Sequence, residues 1–157
     1  MEIKSADSTD CVGISSLVRE SFNEVNSKDY EPEQIRAWTK AASARNILNR
    51  IQDRELRNFL AIEDGEIIGY VSVSTKDAIV KSLYIKPSQI GKGIGSELLK
   101  FAEMLTQDHG KTHMELNSSL TAVDFYKRKG YKETKEIDIV IEGVTIPVVK
   151  MTKELII

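Results

Sequence analysis

The chain has 157 residues, 41% hydrophobic and 29% charged, with a formal net charge of −2 at pH 7. That length suits one globular domain with a real core and is short for two, and the near-neutral charge argues against an obligate nucleic-acid partner, since such domains carry a basic patch. A lone cysteine, Cys11, rules out an intramolecular disulfide, and with no signal-type h-region and no apolar run near the ~18 residues of a membrane span, a cytoplasmic protein without a membrane partner is expected.

Residues 2–6 read as a short first strand. Asp7, Ser8 and Thr9 offer an N-cap to a helix whose Cys11, Ile14, Leu17, Val18, Phe22 and Val25 share one face. Asn26 to Tyr30 is polar and reads as a loop. Pro32 between two acids opens a second helix carrying Ile35 and Trp38 on one face. A third helical piece spans Ser43 to about Gln52, with Ile47, Leu48 and Ile51 inward. Strands at 59–63 and 66–74 flank Asp64-Gly65, a hairpin signal. Ala78 to Ile85 is a further strand. A helix from Gly93 to about His109 places Ile94, Leu98, Ala102 and Leu105 inward and stops at Gly110. A strand at 113–117, a helix at 121–129 and a hairpin of 131–141 with 144–153 around Glu142-Gly143 complete the chain. This order predicts an α/β fold: a mixed sheet of about six to seven strands with helices on both faces. A single domain over residues 1–157 is expected.

The run from Leu83 to Leu99 carries the strongest chemical signal. A strand stops at Pro87, then Gly91, Gly93 and Gly95 precede a helix. Backbone N–H groups converge at such a helix start, and the helix dipole favours an anion there. A phosphate or pyrophosphate ligand is therefore expected. The P-loop pattern fails because Lys92 comes too early with no hydroxyl in place, and the dinucleotide fingerprint fails at its spacing.

Ile90-Gly91-Lys92-Gly93-Ile94-Gly95, following Pro87, resembles the acyl-CoA pyrophosphate loop of the GNAT N-acetyltransferase superfamily. The usual Gln or Arg is replaced by Ile90, with Gln89 just before it. A second block, Asn117 to Tyr131, resembles the family's A-x-x-F-Y-x-x-x-G-[FY] passage, at a distance that leaves room for one helix and one strand. The resemblance implies a GNAT-like fold and acetyl transfer from acetyl-CoA to a primary amine on a small molecule or peptide. Its implied cofactor contacts are Leu83, Tyr84 and Ile85 along the pantetheine arm, Ile90 to Ser96 at the pyrophosphate, and Asn117 and Ser119 near the end of the following strand. It implies that Tyr126 protonates the departing thiolate. It also puts Tyr30 and Trp38 in the region that walls the acceptor site.

Each assignment has a plainer alternative. Tyr126 can be a core aromatic; by helical geometry Phe125 is expected inward and Tyr126 toward the cleft. Ser119 can be an N-cap. Trp38 can be simply core. Lys127, Arg128 and Lys129 read as a solvated helix end or as a contact for the CoA 3′-phosphate. Glu24, Asp77, Ser82, Glu133 and a water are all open as the base. A catalytically weakened acyl-CoA sensor stands as the alternative function. The quaternary state, monomer or homodimer, is open. His109 and His113 are not at metal spacing, and no metal is expected.

Overall fold

Two acid-glycine pairs make the sharpest turns of the chain. Asp64 and Gly65 have φ of 51° and 76°, and Glu142 and Gly143 have 51° and 75°. Positive φ at both central residues matches the twist of flanking strands, so each pair closes a two-residue hairpin. The computed structural model describes residues 1–155. The strands are β1 (Glu2–Ser5), β2 (Arg57–Glu63), β3 (Glu66–Ser74), β4 (Ile79–Ile85), β5 (His113–Ser118), β6 (Lys132–Ile141) and β7 (Val144–Glu154). They form one seven-stranded sheet in the order β1-β2-β3-β4-β5-β7-β6. Every neighbouring pair is antiparallel except β4 and β5.

Helices cover both faces, as the alternation within strands requires. Phe59 and Ala61 of β2 join the core under α4 (Ile94–Asp108). Leu60 between them joins the opposite core, under α1 (Cys11–Glu24), α2 (Pro32–Ala41) and α3 (Ala44–Gln52). Helix α1 follows a single 3-10 turn, Ser8–Asp10, closed by a reciprocal Asp7–Asp10 capping box. Ile14, Leu17, Val18 and Phe22 are buried on its inner face. Helix α4 lies unusually close to β3. A Cβ at Gly69 would stand 2.8 Å from Leu98 Cδ1, so a larger residue there would force the Leu98 side chain to shift. Leu98 is fully buried there, and truncating such a side chain to alanine typically costs about 2–5 kcal/mol. This contact seats the N-terminal half of α4 on the sheet, and with it the glycine loop.

Two local expectations are corrected. The stretch read as a loop at 26–30 contains a 3-10 turn, Asn26–Lys28. The helix expected over 121–129 is split into a 3-10 turn, Leu120–Ala122, and a short α5 (Val123–Arg128). Among the described residues, no helix is long and apolar enough to cross a membrane.

Candidate active site

Strands β4 and β5 touch and then part. Their parallel pairing is confined to Ile79 with Glu115 and Val80 with Leu116. On its other edge β4 stays paired to β3 through Leu83, Tyr84 and Ile85. One edge of these three residues is thus left without a strand partner. A register slip adds to the divergence: Ser72 opposes Ser82 while Val73 opposes Val80, so Lys81 is an extra residue on β4.

The gap opens into a cleft of about 520 Å³. Leu83, Tyr84 and Ile85 line it, with Ile90, Gly91, Gly93, Ile94, Gly95, Ser96, Ser119 and Tyr126. Gly93 has φ of 84° and is the N-cap of α4. The first helical bond runs from Glu97 N–H to Gly93 O (3.1 Å). Among the described residues, no backbone hydrogen bond uses the N–H groups of Gly93 to Ser96. A Cβ built on Gly91 or Gly93 would find nothing within 4 Å. The loop therefore presents free donors to open space at the positive end of a helix, which fits a pyrophosphate. Thr121 Oγ1 adds a buried hydroxyl without a partner on the cleft wall.

Ile90 is 52% exposed at the rim. Ile90→Arg should leave acetyl-CoA affinity unchanged or tighter, because it adds a donor near an anion without disturbing a core. A calorimetric titration checks this, and a large loss would mean the loop is held in another way. Lys92 is exposed, does not line the cleft, and reaches Gln89 Oε1 at 3.3 Å. Ser119 caps the following turn, its Oγ accepting from Ala122 N–H (3.2 Å), while still lining the cleft. Asn117 is exposed on β5 and lines a smaller recess of about 60 Å³ rather than the main cleft.

Tyr126 and Phe125 are arranged differently from the expectation. Tyr126 is the buried one, 6% exposed, and Phe125 is half-buried. Both nevertheless line the cleft. The Tyr126 ring packs against Phe125 and Tyr131, with ring centroids 5.2 and 5.7 Å away. No hydrogen bond from the Tyr126 hydroxyl occurs among the described residues. Burial pushes its pKa well above the ordinary phenol value, with Tyr84 a lesser cause in the same direction.

The acceptor-wall residues divide. Trp38 lines the small recess, stacked on Phe22 at 5.0 Å. Tyr30 lines neither cavity. Its hydroxyl donates to Pro147 O (2.7 Å) and accepts from Leu120 N–H (2.9 Å). Burial pushes its pKa up to about 12 although the Leu120 N–H opposes this. Tyr30→Phe should cost about 1–3 kcal/mol by orphaning both groups, measured as a lower denaturant midpoint.

Sequence reasoning missed Ser21, Val25 and Asn26, which also line the cleft. Asn26 sat in a segment read as a loop, and only the 3-10 turn brings it in. Arg128 and Lys129 line the cleft, whereas Lys127 pairs with Glu133 at 3.4 Å. Among the described residues no cluster of three or more His, Cys, Asp or Glu could hold a metal ion.

A family model described as an acetyltransferase (GNAT) domain matches residues 26–155. The chain belongs to the GNAT family. As a GNAT acetyltransferase it takes its acetyl group from acetyl-CoA, and the free N–H groups, open cradle and unpaired strand edge fit that donor. The chain is 26% identical over 144 residues to an aminoalkylphosphonate N-acetyltransferase of Salmonella typhimurium, covering 85% of this chain and 86% of that one. A GCN5-related N-acetyltransferase from Rhodopseudomonas palustris superposes with a TM-score of 0.92 at 22% identity, over 98% of this chain and 95% of that one. The PaiA N-acetyltransferase of Thermoplasma acidophilum, solved in complex with coenzyme A, gives a TM-score of 0.79 at 25% identity, over 98% of each chain. These likenesses give no support to a non-catalytic sensor.

Proposed function

We propose that residues 1–157 act as one cytoplasmic domain that moves the acetyl group of acetyl-CoA directly to a primary amine of a small molecule. The observation that carries this reading is the unpaired edge of Leu83 to Ile85, which leads from the free N–H groups of the glycine loop to Tyr126 within one cleft. Acetyl-CoA supplies an acyl group activated as a thioester. The loop N–H groups hold its pyrophosphate, with Arg128 and Lys129 nearby as cations. The backbone of Leu83 to Ile85 holds the extended arm, as an added strand is held, and a main-chain N–H there polarises the carbonyl. The amine nitrogen forms its bond to the carbonyl carbon as the carbon–sulfur bond breaks. Tyr126 holds a proton at the sulfur and gives it to the departing thiolate, the amine nitrogen passes its own proton to water, and water returns a proton to the Tyr126 oxygen. Holding both reactants in one cleft supplies several kcal/mol of the barrier lowering.

A small-molecule acceptor suits a recess of about 60 Å³ beside Tyr126 better than an extended peptide does. It also suits the Salmonella relative, which is named for aminoalkylphosphonates. The test is CoA release from acetyl-CoA across polyamines, amino acids, aminoglycosides, aminoalkylphosphonates and peptides. Release with a small amine, matched by acetylated product, is expected. Release with peptides only, or none above hydrolysis, would overturn the reading.

A further inference from the structure

Asn26 is a polar residue buried where its side chain has nothing to bind. It is 5% exposed, yet its carboxamide makes no hydrogen bond among the described residues. Only its backbone carbonyl is used, accepting from Asp29 N–H at 3.0 Å. Thr121 Oγ1 is a second case, a buried hydroxyl without a partner. Buried polar groups are nearly always paired, and a carboxamide has two donors and an acceptor to satisfy. Both residues line the acetyl-CoA cleft, as do Leu83, Tyr84, Ile85 and Tyr126. Their turns, Asn26–Lys28 and Leu120–Ala122, pack against each other. Tyr30, just after the first turn, accepts Leu120 N–H of the second at 2.9 Å. Neither Asn26 nor Thr121 carries a charge, so a neutral polar group suits them better than a phosphate does.

The donor presents neutral polar groups. The pantetheine arm of CoA contains two secondary amides. In a planar trans amide the N–H and the C=O point to opposite sides of the chain. Whichever of them faces the unpaired edge of Leu83 to Ile85, the other faces away from it. A strand edge therefore satisfies half of each amide. The other half needs a partner elsewhere in the cleft, and a polar group buried without one is costly.

We propose that the Asn26 carboxamide and the Thr121 hydroxyl bind the amide groups of the arm that face away from β4, so that the arm is held along both sides and its thioester is kept at Tyr126. This rests on the acetyl-transfer reading above. Asn26 comes from the turn after α1, and Thr121 from the turn after β5, the strand that parts from β4. Without the arm both side chains lack a partner, and the donor supplies one to each.

The test titrates CoA by calorimetry into wild type, Asn26→Leu and Thr121→Val, with thermal melts of each free protein. Asn26→Leu should weaken CoA about tenfold and Thr121→Val about threefold, the range for losing hydrogen bonds between neutral groups. The free proteins should melt no lower than wild type, because apolar side chains of similar shape replace groups that had no partner. A role in packing alone would lower the melting temperature instead. Asn26→Asp keeps the shape and loses both donors, so it serves if Asn26→Leu does not fold, and it too should weaken CoA. Adenosine 3′,5′-bisphosphate, which has phosphates but no arm, should bind wild type and variants alike. Unchanged CoA affinity in either variant overturns the proposal, as does a loss matched by a destabilised free protein. A parallel loss for the bisphosphate also overturns it, by moving the contact to the phosphates. Wild-type protein that fails to bind CoA overturns the acetyl-transfer reading, whereas wild-type binding that the variants share overturns this inference alone.

Discussion

Gly93→Asp is expected to weaken acetyl-CoA binding at least about tenfold, or about 1.4 kcal/mol, while the protein stays folded. Gly93 stands at the N-cap of α4 with φ of 84°, and a Cβ there would project into space free of protein atoms. The new carboxylate would therefore occupy the place of the pyrophosphate and repel what remained. It would also accept from the free N–H groups at the start of α4, as N-cap carboxylates do. Gly93→Asn separates the causes. Asparagine is almost the same size and tolerates the left-handed conformation, so it carries the steric and backbone cost without the charge. The expected order of affinity is wild type, then Asn, then Asp. Equal affinity in a folded Asp variant, by calorimetry, would remove the glycine loop from the donor site.

Much of this site is readable from local chemistry, and what is not depends on how elements meet. Asp64-Gly65 and Glu142-Gly143 specify their turns almost alone, because few residues accept positive φ in succession. The glycine loop is legible because three glycines before a helix serve few other purposes. Tyr126 and Phe125 are not separable in this way. They are adjacent on a six-residue helix, and their burial is decided by how that helix leans on Tyr131 and by Gly95, whose missing Cβ leaves Phe125 Cζ room at 3.3 Å. Arg50 is the clearest case of hidden information. In the sequence it is one charged residue between the apolar positions of α3, indistinguishable from a solvated face. Only the packing of α3 against the sheet carries it to Ser82. The same holds for Tyr30, an aromatic beside a helix start in the sequence. In the fold it is a strut that joins Pro147 of β7 to the turn beginning at Leu120.

Tyr126→Phe is expected to lower kcat by roughly 10- to 10³-fold, the range for losing a positioned acid, with acetyl-CoA affinity and thermal stability nearly unchanged. The stability expectation follows from the hydroxyl. It makes no hydrogen bond among the described residues, so phenylalanine keeps the ring contacts to Phe125 and Tyr131 and orphans nothing. The kinetic expectation follows from its place, lining both the acetyl-CoA cleft and the recess beyond it. Burial raises the phenol pKa above its ordinary value of 10.0, so the proton is present throughout the neutral range and no fall in activity below about pH 10 belongs to its ionisation. An acid held this tightly would give up its proton only as negative charge builds on the sulfur, so Tyr126 is expected to act late in bond cleavage rather than by prior transfer. A thiolate needs less help as pH rises, because it can leave unprotonated. The ratio of wild-type to Tyr126→Phe turnover should therefore narrow toward high pH, and a pH series of kcat for both forms measures it. Wild-type turnover by the variant at neutral pH would leave Tyr126 as a packing residue and pass the acid's role to water.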